Sequence, residues 1–368
     1  MKTIVLKVDP KRPEQAKIKK AASIIKGGGL VVFPTETVYG LGANAFNRKA
    51  VKRIFETKGR PSDNPLIVHI YSKKQLNDIT QEVPDKAKKL ADKFWPGALT
   101  MIFKKKLLIP PEVTCGLNTV AVRMPSHKVA RALCKEAGVP IAAPSANISG
   151  RPSITSGEHA IEELIGKVEC IIDAGNTDIG LESTVIDMSS KVPEILRPGG
   201  VTAEDIRAVC GKIKVGKIAM AKGKASTPRS PGTKYRHYAP KAKMILVEGP
   251  EEKAALEAEK IALAKSSEGK NTALLLLRTR KRIKVVKPGN EKVKIIALYG
   301  KKEIAKRLFF SLRKFDSERV EIIVTNAIDE KGLGLAVMNR LRKASSEVIN
   351  CNSSTRQSKQ KVFKYREP

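Results

Sequence analysis

Four loops of this 368-residue chain collect side chains that a hydrophobic core would reject. They are PTETVYGLG (Pro34–Gly42), KGRPSDNPL (Lys58–Leu66), LNTVAVRMP (Leu117–Pro125) and APSANISGRPS (Ala143–Ser153). The first and last follow short apolar runs, and the second leads into a run ending in His69. In open α/β sheets ligands bind at strand ends, where such loops converge. Lys58 and Arg60 place two cations close together, and Ser145, Asn147, Ser149 and Ser153 add hydroxyl and amide groups. Such a set suits a polyphosphate, with Arg forking onto its oxygens and Lys acting as a point charge. Each signal alone has a plainer reading. K-x-R after a helix can be a solvated terminus, His69 a structural histidine, Arg123 the partner of a surface carboxylate, and S-A-N-x-S-G an ordinary turn. The sequence has no G-x-x-x-x-G-K-S/T loop, no G-x-G-x-x-G and no H-E-x-x-H.

Composition narrows the class. Apolar residues make up 41% and charged residues 29%, which fits a globular protein and not a collagen, coiled coil or wholly disordered chain. No apolar stretch approaches the length of a membrane span, so no membrane role is expected. Charge interrupts the opening MKTIVLKVDPKRP before a signal-peptide core could form, which predicts a cytoplasmic protein. The five cysteines are scattered, with no C-x-x-C, so neither a disulfide framework nor a zinc site is expected. The formal net charge is +33, with 32 basic against 22 acidic residues in 1–210 and 38 against 15 in 211–368. A field of that sign steers polyanions such as nucleic acids or nucleotides, although a lysine-rich solvated surface explains it equally well.

The elements that must position these loops follow from apolar periodicity. The first 210 residues alternate short strands with amphipathic helices. Strands are predicted at Thr3–Val8, Leu30–Phe33, Leu66–Ile70, Leu99–Phe103, Thr119–Val122, Val139–Ala143, Cys170–Asp173, Ser183–Asp187 and Glu194–Arg197. Helices are predicted to start at Pro13, Asn47, Pro84, Ser126 and, through a Thr202…Asp205 capping box, before the first unit ends. This pattern argues for an α/β fold with a mixed, twisted sheet. Residues 211–240 have linker composition, yet Tyr235, His237 and Tyr238 fall within four residues there, which a plain spacer does not need. From Met244 strands alternate with helices as βαβ units, for which a doubly wound parallel sheet is the default. The resulting division is 1–212, a linker at 213–242, 243–346, and a basic tail at 347–368.

Taken together, PTETVYGLG, K-x-R-P-x-x-x-P-L, FWPGALT, VRMP, PSAN-x-SG-x-PS, ESTV and LRPG, in this order, resemble the YrdC-type threonylcarbamoyl-AMP synthases. The linker SPGTKYRHYAPK and the late GLGLAVMNRLRKAS resemble the longer, two-domain form, with Thr233 standing where Met is expected. The resemblance spans about residues 10–345. It implies a YrdC-like open α/β catalytic domain and a Rossmann-like C-terminal domain, and the linker, with Tyr235 and its neighbours at 226–240, is a candidate active-site lid that would keep water from a labile product. It also implies an activity: L-threonine, bicarbonate and ATP become L-threonylcarbamoyl-AMP and pyrophosphate. A downstream threonylcarbamoyl-transferase complex then modifies the tRNA adenosine beside the anticodon, and tRNA itself is an open further partner.

Carried over by motif, Thr37, His69, Arg123, the backbone at Ala143, and Ser183 would hold threonine, with Arg123 forking onto its carboxylate. Arg60, Asn64, Thr119, Ser145, Asn147, Ser153, Arg197 and Tyr235 would hold ATP. Lys58 and Arg60 would carry catalysis by binding phosphates and offsetting the charge that grows as pyrophosphate leaves. Mg2+ would accompany ATP, with no protein metal site expected. Two other readings remain: an RNA-binding module, which does not require these loops and for which 4% aromatic residues is poor, and the carbamoyl transfer of hydrogenase maturation proteins, whose zinc-finger Cys motifs are missing here.

Overall fold

A computed structural model describes residues 1–216, 219–221, 237–279 and 293–351. It divides into two compact units, Met1–Ser149 with Ser153–Lys234, and Gly150–Pro152 with Tyr235–Pro368.

In the first unit eleven strands form one mixed sheet. They are β1 (Ile4–Lys7), β2 (Val31–Phe33), β3 (Gly40–Asn44), β4 (Ile67–His69), β5 (Leu99–Lys104), β6 (Thr119–Arg123), β7 (Ile141–Ala143), β8 (Cys170–Asp173), β9 (Thr184–Asp187), β10 (Glu194–Arg197) and β11 (Lys214–Val215). Their order is β1-β8-β2-β3-β7-β4-β6-β5-β9-β10-β11. Helices α1 (Gln15–Lys26), α2 (Arg48–Lys58), α3 (Leu76–Ile79), α4 (Asp85–Phe94), α5 (Pro111–Thr114), α6 (Lys128–Ala137), α7 (Gly157–Leu164) and α8 (Ala203–Cys210) connect them.

The caps show why these segments are helices. Asn47 accepts a hydrogen bond from the Ala50 amide, and Gly59 ends α2 at φ 56°, a left-handed conformation that glycine adopts without strain. The Thr202/Asp205 capping box is formed. Two starts differ from the sequence reading. His127, not Ser126, caps α6 by accepting from the Val129 amide, and the first helix begins at Gln15, two residues after Pro13.

The linker range begins with β11, which runs parallel to β10, and the expected tail begins with a strand. Sequence reading also missed β3 and α7. The β3 segment GLGAN carries two glycines and reads as a loop, but Gly42 is where Phe33 and Ile141 close in. A Cβ there would lie 2.7 Å from Phe33 and 2.8 Å from Ile141.

Strand alternation separates a core face from a working face. Val68, Val120, Val122, Leu99, Met101, Phe103 and Ile186 point into the main hydrophobic core. Their neighbours Ile67, Ala121, Ile102, Val185 and Leu196 form a separate small apolar cluster on the other face. His69, Arg123 and Thr100 share that second face, because each lies two residues from a member of the cluster.

The second unit contains β12 (Lys243–Glu248), α9 (Glu251–Ser267), β13 (Thr272–Arg278), β14 (Val293–Tyr299), α10 (Lys301–Ser317), β15 (Ile322–Asn326), α11 (Leu333–Ala344) and β16 (Glu347–Asn350). All its strand pairs are parallel, in the order β14-β13-β15-β12-β16. The late motif has a structural role here. Arg340 is fully buried with its guanidinium 5.4 Å from the Tyr238 ring centroid, and Tyr238 packs on Phe309 at 5.3 Å. Among the described residues no helix is long and apolar enough to cross a membrane.

Candidate functional site

Three adjacent strands bring the centre of the site together. His69 pairs with Arg123 between β4 and β6, and Arg123 pairs with Thr100 between β6 and β5. In-register neighbours project to the same face, so an imidazole, a guanidinium and a hydroxyl form one polar row on the working face. The Pro34–Tyr39 loop reaches this row from the end of β2. Thr35 shapes it, its Oγ1 accepting from the Thr37 and Val38 amides, and Arg123 Nη1 donates to Thr37 Oγ1 at 2.8 Å.

Arg123 is almost entirely enclosed. Its Nε donates to the Gly97 carbonyl at 3.2 Å, and its Nη2 lies 2.8 Å from Oε1 of Glu36. Sequence reasoning missed this carboxylate, treating Arg123 as free for a ligand or paired at the surface. Glu36 is 4% exposed. The available signal was a Glu between two threonines directly after a buried strand, where no solvated acid is expected.

Burial, the largest influence, would raise the Glu36 carboxyl, but Arg123 together with the Glu36 and Ser126 backbone amides holds the group below the usual carboxylate range. His69 is pushed down to about 3, first by burial and then by Arg123, against the pull of Glu36. It is therefore a neutral imidazole, set edge-on to Phe33 at 5.9 Å with its Nδ1 unpartnered.

Ser183 and Arg197 adjoin this row. Ser183 Oγ and Thr100 Oγ1 are 2.7 Å apart, and Arg197 Nη2 donates to the Ser183 carbonyl at 3.0 Å. The residues expected on threonine and the one expected on ATP at 197 are thus directly linked. Ala143 lies opposite Ile67, one strand from the row.

A second set gathers where β4 and β6 begin. Thr119 opens β6, four residues before Arg123 and on the same face, about 13 Å away along the strand. Arg60 and Asn64 precede β4, and Arg60 folds onto the Asn64 carbonyl at 2.9 Å. Asn64 is 1% exposed, yet neither end of its amide has a hydrogen-bond partner. An open cleft of about 740 Å3 runs beside Arg60, lined among others by Lys52, Phe55, Gly59, Pro61 and Cys115.

Lys58 closes α2 and is 1% exposed. Its Nζ donates to the carbonyls of Ser145, at 2.7 Å, and Asn147. It therefore fastens the 145–147 loop beside α2. Ser153 Oγ donates to Glu182 at 2.5 Å, a second carboxylate that sequence reasoning passed over, in ESTV. Tyr235 lies outside the described residues, as does most of the expected lid.

Comparison with known proteins places this geometry. Residues 23–199 match a family model described as Telomere recombination, and residues 201–346 match one described as Threonylcarbamoyl-AMP synthase, C-terminal domain. The threonylcarbamoyl-AMP synthase of Pyrococcus abyssi is 49% identical over 345 residues, covering 93% of this chain and 98% of that protein. That of Bacillus subtilis is 45% identical over 333 residues, covering 89% and 92%. The chain belongs to the threonylcarbamoyl-AMP synthase family. The crystal structure of P. abyssi Sua5 complexed with L-threonine superimposes with a TM-score of 0.88 at 48% identity, over 95% of this chain and 99% of that one. The match to the synthase runs through both units, so the long two-domain form expected from the motifs is the form present.

Proposed function

We propose that this chain condenses L-threonine, bicarbonate and ATP into L-threonylcarbamoyl-AMP with release of pyrophosphate. The product would supply a threonylcarbamoyl transferase acting on tRNA. The observation that carries the reading is the buried polar row of His69, Arg123 and Thr100, joined by Thr37 through Arg123, with Thr119 on the same face of β6 and Arg60 and Asn64 in the loop that precedes β4. An amino acid and a nucleotide could lie end to end across those short strands.

In this proposal Thr37, His69, Arg123, Ala143 and Ser183 hold threonine. Arg60, Asn64, Thr119, Ser145, Asn147, Ser153, Arg197 and Tyr235 hold ATP. The unpartnered amide of buried Asn64 supports a polar ligand edge at that point. Threonine's amine and bicarbonate give a carbamate, a weak nucleophile whose oxygen attacks the α-phosphorus in line with departing pyrophosphate. Little covalent help is needed, so positioning and positive charge supply most of the acceleration. Arg60 faces the growing phosphate charge. Lys58 acts there through the loop it fastens, as well as through its own charge. Mg2+ arrives on the ATP phosphates with mostly water ligands. The mixed anhydride hydrolyses readily, and the linker around Tyr235 would cover it.

The test is pyrophosphate release from ATP and Mg2+, with L-threonine and bicarbonate added singly and together. Release that needs both is the expected result. Release indifferent to threonine would indicate a nucleotide hydrolase. No release, alongside tight and salt-sensitive tRNA binding, would favour an RNA-binding protein.

A further inference from the structure

Four buried carboxylates of the first unit illustrate how such groups are normally satisfied, and one departs from the rule. Glu182 accepts from Ser153 Oγ, Asp187 from the Ser189 amide and hydroxyl, and Glu163 from the Ile148 amide. Glu36 is as deeply buried, yet neither of its oxygens accepts a hydrogen bond of good geometry. Its 2.8 Å approach to Arg123 is an ion pair off the hydrogen-bond axis. The Glu36 and Ser126 amides also favour the anion without forming such a bond. A buried anion with no well-formed hydrogen bond is costly, and proteins keep such groups where a ligand completes them.

The identity of the missing donor follows from the neighbours. Arg123 is a cation beside this anion, and the two side chains are 4% and 6% exposed. The end of the polar row therefore carries one fixed positive and one fixed negative charge 2.8 Å apart. An α-amino acid carries the complementary pattern, a carboxylate and an ammonium on one carbon. A simple carboxylic acid would satisfy Arg123 and leave Glu36 without a donor. We propose that Glu36 is a further threonine-binding residue, accepting the α-ammonium while Arg123 takes the carboxylate, so that the pair selects zwitterions over plain acids. Thr37, bonded to Arg123 and adjacent in sequence to Glu36, keeps the two charges in register.

This rests on the synthase reading, and the experiment separates the two. Binding of L-threonine and of (R)-3-hydroxybutanoate, which is threonine without its amine, is measured by calorimetry or competition on the full chain and on Glu36→Gln and Glu36→Asp. The wild type should bind threonine and discriminate strongly against the amine-free acid. Glu36→Gln should weaken threonine roughly thirtyfold, the loss of one charge-assisted hydrogen bond, and leave the acid unchanged or tighter. Glu36→Asp, which keeps the charge, should fall between, and it carries the test alone if the Gln variant does not fold. Unchanged threonine binding in these variants overturns the proposal. Equal loss of both ligands also overturns it, since Glu36 would then act only by holding Arg123. A wild type that binds no threonine refutes the synthase reading itself.

Discussion

Removing one member of the Arg123–Glu36 pair should destabilise the first unit more than removing both. The side chains are 4% and 6% exposed and meet at 2.8 Å. At an effective dielectric near 20, unit charges at that separation attract by about 6 kcal/mol before desolvation is counted. Breaking a buried pair from one side leaves an uncompensated charge, at a cost of about 3–5 kcal/mol. For a unit of this size that corresponds to a fall of about 6–20 °C in melting temperature. Arg123→Met and Glu36→Gln should each approach this range. The double variant should be more stable than either single variant, and therefore more stable than their sum predicts by at least about 3 kcal/mol. The assay is calorimetry of the full chain without ligand, following the transition that threonine shifts in the wild type, because that transition reports on the unit holding the site. Additive effects, within about 0.5 kcal/mol, would show that the two charges do not interact and would refute the electrostatic account of the site.

Two further outcomes follow from the same geometry. His69 is neutral in the folded chain and protonated in the unfolded one between about pH 6.5 and 3, so stability should fall with pH in that window by up to about 1.4 kcal/mol per unit. His69→Gln should flatten that slope, whereas Glu36→Gln should act only at the more acid end, where its own carboxyl would titrate when unfolded. An unaltered slope in His69→Gln would contradict a buried neutral imidazole. Gly42→Ala would drive a methyl to 2.7 Å from Phe33 and 2.8 Å from Ile141 and should cost about 1–3 kcal/mol, read as a lower melting temperature. An unchanged value would mean that the strands are free to move apart there.

Much of this protein was legible from residue order alone. Period-2 and period-3.6 apolar patterns, the Asn47 cap and Thr202/Asp205 capping box, and the βαβ rhythm after Met244 are local signals, set by neighbours within one turn or one strand. Motif order was enough to identify the family, because a set of loop sequences in sequence order is a linear property. Tertiary structure decided what linear spacing cannot encode. It paired Gly40–Asn44 as a strand because Gly42 admits Phe33 and Ile141 from other parts of the chain. It turned Lys58 inward onto two carbonyls, 87 and 89 residues away. Above all, it placed Glu36 against Arg123, which lies far along the chain. Whether an acidic residue is solvated or buried against a cation depends on which strands lie side by side, and the strand order that sets it arises only when the whole sheet assembles.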